Sequence, residues 1–206
     1  MRILIGTTNP SKIVYFEQLL EGCGVEFVTL GELGVTQEPQ ETGTSPEENA
    51  RLKAAFYGRY ADAVICADSG LYFDCLAMDD PRQPGLHIRT PEGTRLDDAQ
   101  MVEYYAARAH DLGGQVLAYY VDGCALKIGE RIYGFQATRE EALANAFYLV
   151  DRPCEAMRAG WPLDSISLDL DKVSFHDPQR KISIQNLLSY RERLKAFLRE
   201  KLEENR

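Results

Sequence analysis

The sequence predicts a single mixed α/β domain spanning residues 1–206. The opening third alternates short apolar runs with amphipathic stretches in the order β-α-β-α-β, the pattern of strands joined by helices that cover a sheet. Two further strand-like runs, 115–128 and 131–138, flank Gly129-Glu130, a turn that closes an antiparallel hairpin onto that sheet. A chain of 206 residues with no linker-like stretch, internal repeat or low-complexity segment is long enough for one good core.

Arg2 to Gly6 reads as an edge-to-core strand, and Thr7-Thr8-Asn9 turns the chain into a helix with Asn9 as N-cap and Pro10 at the first helical position. Strand, polar turn and helix start form a phosphate-binding geometry. Backbone N–H groups point outward with the positive end of the helix dipole, and Lys12 adds a mobile charge. The same residues also suit an ordinary capped helix with a solvated lysine. Ile13, Phe16, Leu19 and Leu20 make the apolar stripe, which stops near Gly22-Cys23-Gly24. Val25 to Leu30 is the second strand, and 31–40 is a polar surface connection.

Residues 41–71, ETGTSPEENARLKAAFYGRYADAVICADSGL, bring two acids and a lysine together around one helix. Ser45 is its N-cap, Pro46 its first residue and Glu48 the closing member of a capping box. Asn49 and Lys53 are four residues apart and share a face. Ala63 to Ala67 reads as a short buried strand, with Asp68-Ser69-Gly70 as the turn at its C-terminal end. Ligands of open α/β sheets bind at such ends.

Residues 77–94, rich in Pro, Gly, Asp and Arg, form a long loop able to cover a site. A helix follows over 97–110, with Met101, Val102, Tyr104, Tyr105 and Ala109 inward and Gly113-Gly114 as its stop. Thr138-Arg139-Glu140-Glu141 is a second capping box and predicts a helix from Arg139 to about Val150. The alternation over 164–173 predicts a strand. Ser183 caps a final helix whose buried stripe is Ile184, Leu187, Leu188, Leu194, Phe197, Leu198 and Leu202.

A net charge of -9 argues against general nucleic-acid binding, which needs clustered Lys and Arg. The apolar run at Met1 to Gly6 is too short for a signal peptide, and nothing later approaches a membrane span, so a cytoplasmic protein is expected. Cys23, Cys66, Cys75, Cys124 and Cys154 are odd in number and contain no C-x-x-C pair; reduced thiols are expected, mostly in the core. His87, His110 and His176 lack metal-ligand spacing, which speaks against zinc.

ETG, then ENA-x-x-KA, then ADSGL, in this order and spacing, resemble the inosine triphosphate pyrophosphatase family of house-cleaning enzymes that hydrolyse ITP, XTP and dITP. Thr8-Asn9-Pro10-Ser11-Lys12 is similar to the family's T-N-x-x-K opening. The resemblance implies a long twisted sheet flanked by helices, with the nucleotide in a cleft between two lobes, a homodimer and Mg²⁺ as cofactor. It implies metal binding by Glu41, and metal binding or activation of the attacking water by Asp68 as the catalytic residue. Thr8, Asn9, Lys12, Lys53, Ser69 and Arg191 are implied on the substrate's phosphate side, with Arg89, Trp161 and Asp164 as further substrate contacts.

Later motifs depart from the family pattern. His87-Ile88 precede Arg89 where the family has Ser-Ala, and Gly160-Trp161-Pro162-Leu163-Asp164 stands in place of G-F-G-Y-D-P. Gln185 replaces a lysine, and Tyr190 the histidine of S-H-R. Ala67 precedes Asp68 where the family has two consecutive acids. The predicted helix after Thr138 falls where the family has strand or loop. Trp161 is either a platform for a base or a packing residue.

Two functions are expected from this reading. One is Mg²⁺-dependent hydrolysis of a nucleoside triphosphate between the α and β phosphates, which needs charge neutralisation, a positioned water and a pyrophosphate leaving group. The other is a nucleotide-binding or sensing protein of the same fold without turnover.

Overall fold

Ile3 and Ile5 point to one face of the first strand and Leu4 to the other, and all three are fully buried, so this part of the sheet is covered on both sides. The computed structural model describes residues 1–157, 161–175, 177 and 184–205, and only the backbone of 184–189. In chain order the strands and α-helices are β1 (Arg2–Ile5), α1 (Pro10–Leu19), β2 (Glu26–Thr29), α2 (Pro46–Tyr57), β3 (Ala63–Phe73), α3 (Asp98–Asp111), β4 (Gln115–Ile128), β5 (Arg131–Gln136), α4 (Arg139–Ala144), β6 (Phe147–Val150), β7 (Ser167–Leu168) and α5 (Ile184–Glu204). The sheet order is β2-β1-β3-β4-β6-β7, with β5 paired to β4. β1 is parallel to β2 and β3, whereas β4 is antiparallel to β5 and β6. This is the mixed α/β sheet that the sequence predicts.

The chain divides into two compact units, Met1–Ser69 with Val121–Thr138 and Leu187–Arg206, and Gly70–Tyr120 with Arg139–Asn186. In the first unit, α1 and α5 cover one face. Phe16, Leu19 and Leu20 pack there with Leu194, Leu198 and Leu202 over Ile3, Ile5, Ile65, Cys124 and Leu126. Each fully buried leucine contributes ~2 kcal/mol of burial free energy. Helix α2 covers the other face, placing Ala50, Ala54 and Tyr57 on Leu4, Val28, Val64, Cys66 and Ala125. Its small residues permit close approach, and so does Gly123, where a Cβ would stand 2.3 Å from the Glu47 nitrogen. The second unit has its own core, built from Leu71, Phe73, Met101, Tyr105, Ala109, Phe147, Leu149, Leu163 and Ile166 among others.

Both helix starts form as the sequence predicts. Asn9 accepts from the Ser11 N–H and Ser45 from the Glu48 N–H, each followed by a proline. The Glu48 carboxylate accepts from the Thr44 N–H and hydroxyl at 2.7 and 2.8 Å, tying down the residue before the cap. The hairpin turns at Gly129-Glu130, with Ile128 opposite Arg131.

Four expectations are corrected. β1 is interior and β2 is its outer neighbour. β3 does not end at Ala67: it runs on as a strand through Asp68, Ser69 and Gly70 to Phe73, because the polar side chains at 68 and 69 find partners on opposite faces. The helix from Arg139 stops at Ala144, and the aromatic and branched run Phe147–Val150 pairs antiparallel with β4, Ala118 facing Phe147 and Val116 facing Leu149. Only Ser167 and Leu168 of the strand expected over 164–173 are in a strand. Pro162–Ile166 is a 3-10 turn in which Ser165 and Ser167 donate hydroxyl bonds to the Pro162 and Leu163 carbonyls, both 2.7 Å. Ser183, Gly160, and the side chains of Ile184, Gln185, Leu187 and Leu188 lie outside the described residues.

Candidate functional site

After β1 the chain crosses through α1 to β2 on one side, then through α2 to β3 on the other side of β1. The strand order therefore reverses between β1 and β3, and the carboxyl ends of those two strands open the crevice in which such sheets bind ligands. β1 pairs with β3 at Leu4–Val64 and Ile5–Ile65, and Gly6 adds a bond to the Ile65 carbonyl at 2.8 Å. β3 then continues beyond the end of β1 and carries Ala67, Asp68 and Ser69 into that opening.

Asp68 points to the α2 face. One carboxylate oxygen accepts from Asn49 Nδ2 at 2.9 Å and the other from Lys53 Nζ at 2.8 Å. The four-residue spacing on α2 thus delivers both donors to one acid. Lys53 Nζ also meets Glu41 Oε1 at 2.6 Å, so a single ammonium joins two carboxylates. Lys53 and Asp68 are largely covered, at 14% and 11% side-chain exposure, whereas Glu41 is 44% exposed. Burial alone would lower the Lys53 pKa, but the charges and hydrogen bonds of Asp68 and Glu41 raise it above its ordinary value. Asn49 has a second task. Its Oδ1 accepts from the Gly43 N–H at 2.8 Å, which fixes the amide orientation and ties the turn after Glu41 to Asp68. Gly43 is needed there, since a Cβ would stand 2.7 Å from Asn49 Oδ1.

Ser69, the next residue, points to the α1/α5 face. Its hydroxyl donates to Asp122 Oδ1 on β4 at 2.7 Å. Lys12 reaches over from the first turn of α1 and donates to the Ala67 carbonyl at 3.4 Å. Its pKa is lowered by burial and by the nearby Lys53 ammonium, against the opposing pull of Asp68, Asp122 and Glu41. Arg191 lies with its guanidinium 5.7 Å from the ring of Tyr15, whose buried hydroxyl has no hydrogen-bond partner among the described residues.

The structure therefore brings Glu41, Lys53 and Asp68 into one ionic group, with Ser69 next along β3 and the Lys12 ammonium of α1 on the Ala67 carbonyl. Asn9 caps α1, and Thr8 is exposed in the turn before it. Arg191 is on the α1/α5 face. Arg89, Trp161 and Asp164 belong to the second unit. Arg89 is committed to Asp98 at 2.7 Å, Trp161 is exposed, and the Asp164 N–H closes the 3-10 turn on the Trp161 carbonyl. Sequence reasoning missed Asp122. The signal was a lone acid inside the strand run AYYVDGCAL, where a carboxylate needs a reason.

Among the described residues no cluster of three or more His, Cys, Asp or Glu could hold a metal alone. The oxygens of Glu41 and Asp68, converging on one ammonium, nevertheless suit a hard cation that takes one or two carboxylates and completes its shell with water and phosphate. The five cysteines are free thiols, Cys23, Cys66 and Cys124 buried, Cys75 and Cys154 exposed. Among the described residues no helix is long and apolar enough to cross a membrane.

Comparison with known proteins bears on the family and the fold. A dITP/XTP pyrophosphatase of Bacillus subtilis is 36% identical over 101 residues, 48% of this chain and 49% of that protein. The chain spans about half the length of such curated relatives. The crystal structure of a nucleoside-triphosphatase, dITP/XTP pyrophosphatase, from Mycobacterium abscessus superposes with a TM-score of 0.64 at 27% identity, covering 96% of this chain and 98% of that one. A HAM1 protein from Coxiella burnetii shares the fold, with a TM-score of 0.70 at 20% identity over 97% and 99% of the two chains. The model of the Ham1 family matches residues 3–139, which hold Lys12, Glu41, Asn49, Lys53, Asp68, Ser69 and Asp122, and the chain belongs to that family.

Proposed function

We propose that the protein hydrolyses non-canonical purine nucleoside triphosphates such as ITP, XTP and dITP to the nucleoside monophosphate and pyrophosphate. The observation that carries this is the Asp68 carboxylate, held on both oxygens by Asn49 and Lys53 at the switch point of the sheet, with Glu41 on the same ammonium. The names of the relatives support the substrate class.

The reaction joins a water oxygen to the α-phosphorus and breaks the bond from that phosphorus to the α–β bridging oxygen. Pyrophosphate leaves with the bonding electron pair. Asp68 takes the water's proton or orients the water, its position fixed by Asn49. Lys12, Lys53 and Arg191, with Asn9 and the N–H groups of the Thr7-Thr8-Asn9 turn, hold the phosphate chain. Mg²⁺, held by Glu41 and Asp68, would withdraw charge from the phosphate oxygens. Ser69, Arg89, Trp161 and Asp164 remain proposed substrate contacts. A homodimer and a cytoplasmic setting, in which five free thiols stay reduced, complete the proposal.

The test is pyrophosphate release with Mg²⁺ over a panel of ITP, XTP, dITP and the common triphosphates, with Asp68→Asn as control. A parent chain that binds triphosphates but releases no pyrophosphate sinks the reading. The second reading, binding without turnover, is favoured by Ala67, which leaves a single acid at this point of β3. The two separate on Ala67→Asp: a binding protein gains pyrophosphate release, whereas an active enzyme changes by no more than roughly threefold.

A further inference from the structure

We propose that Asp122 is a positioning residue of the phosphate site, holding the Ser69 hydroxyl and supplying the counter-charge for Lys12. This rests on the reading of the site as one that handles phosphate. Ile65 and Ala67 on β3 face α1 and α5, as do Cys124 and Leu126 on β4. Two residues further along each strand, Ser69 and Asp122 share that face, and their 2.7 Å bond closes the pair.

The Ser69 hydroxyl has one proton, and Asp122 accepts it. Ser69 therefore presents only lone pairs to anything else, and it cannot also donate to a phosphate oxygen while that bond stands. Cation binding to phosphate on this face then falls to Lys12 and Arg191, and Lys12 is the nearer to Ser69 along β3 through its bond to the Ala67 carbonyl. Its ammonium is covered, and both burial and the neighbouring Lys53 oppose its charge. Asp68, Asp122 and Glu41 are the negative charges that favour it. Asp68 is the largest of these influences, but it and Glu41 are bonded to Lys53 on the opposite face, whereas Asp122 lies with Ser69 on the face that α1 and Lys12 cover. Tyr15 adds a buried hydroxyl to the same face, and Arg191 lies over its ring.

The experiment reads Lys12 and phosphate affinity separately from turnover. The Lys12 ammonium is titrated by NMR on ¹³C-methylated lysines, its signal assigned by its loss in Lys12→Ala, and binding of inorganic pyrophosphate is measured by calorimetry. In Asp122→Asn, Lys12 is expected to lose its proton at lower pH than in the parent, with Lys53, Asp68 and Glu41 unchanged. Pyrophosphate binding should weaken ~10-fold, and Asp122→Glu should restore most of it. In the Lys12→Ala background Asp122→Asn should add little further loss. If Asp122→Asn does not fold, Asp122→Ser, which keeps a polar group beside Ser69 but removes the charge, carries the same expectations. An unmoved Lys12 titration, or an equal loss with and without Lys12, overturns the proposal. A chain that releases no pyrophosphate from any triphosphate but whose Lys12 titration follows Asp122 overturns the pyrophosphatase reading and leaves this one standing.

Discussion

Asp68 and Ser69 are neighbours on β3, yet they serve opposite faces of the first unit's sheet, and the two faces are built differently. On the α2 face, acid, amide and lysine meet at 2.6 to 2.9 Å in one bonded group. On the α1/α5 face the Ser69–Asp122 bond is equally short, but Lys12 makes its bond to a carbonyl at 3.4 Å, and among the described residues the Tyr15 hydroxyl has no partner. The first face is pre-assembled, which suits the role proposed for Asp68, because a carboxylate that must be reoriented in the transition state loses its advantage. The second face holds the Lys12 ammonium by a longer bond, which suits ligand binding.

The largest effect is expected where that contrast is sharpest. Asp68→Asn should lower kcat for pyrophosphate release by about 10³; its single amide oxygen can accept from Asn49 or from Lys53 but not from both donors, so a smaller loss of stability accompanies the loss of turnover. Equal losses in KM and stability, with kcat preserved, would mean that Asp68 is a structural acid. Lys53→Met comes next. It leaves Asp68 buried without its cation and should cost about 3 kcal/mol, a fall in melting temperature of roughly 6–12 °C. A calorimetric scan that finds Lys53→Met as stable as the parent would show that the bridge has no structural weight.

The α2 face was legible in the sequence because its parts lie within 41–70 and local rules fix them. Ser45 and Pro46 start the helix, a four-residue spacing aligns Asn49 with Lys53, and the strand returns Asp68 beneath them. Asp122 is 53 residues from Ser69, and their meeting depends on which strands become neighbours, which periodicity does not encode. The same limit explains the segment after Thr138. The capping box marks the helix start correctly, but the chain leaves the helix at Ala144 because β4 offers Phe147–Val150 an antiparallel partner. The reading of Asp68-Ser69-Gly70 as a turn failed for a related reason. Polar residues in a strand look like its end until partners on both faces are known.

Gly123 tests whether the faces are mechanically separate. It adjoins Asp122 but lies beneath the start of α2, where a Cβ would meet the Pro46 carbonyl carbon at 2.4 Å and the Glu47 nitrogen at 2.3 Å. Backbone on the far side cannot rotate away, so α2 must shift. Gly123→Ala should cost about 1–3 kcal/mol and reduce turnover through Asn49 and Lys53, with Lys12 titrating as in the parent. A disturbance of Lys12 of the size expected from Asp122→Asn would show the two faces to be coupled.

The smallest expected effect concerns stability and pH, and it runs against the effect on binding. Burial pushes the Asp122 carboxyl above its ordinary 3.8, while the Ser69 bond and Lys12 pull it back only in part. Between 3.8 and the folded value the native chain keeps a proton that the unfolded chain has lost, so the native state binds more protons and stability falls as pH rises through that window. Asparagine carries no charge to desolvate and can still accept from Ser69 through its amide oxygen. The urea midpoint of Asp122→Asn, relative to the parent, should therefore climb from acidic to neutral pH even as pyrophosphate binding weakens. A difference that stays flat across that range would mean that Lys12 and Ser69 already offset the burial of the charge. The carboxylate would then be neutral in its effect on the fold rather than a strain kept for the ligand.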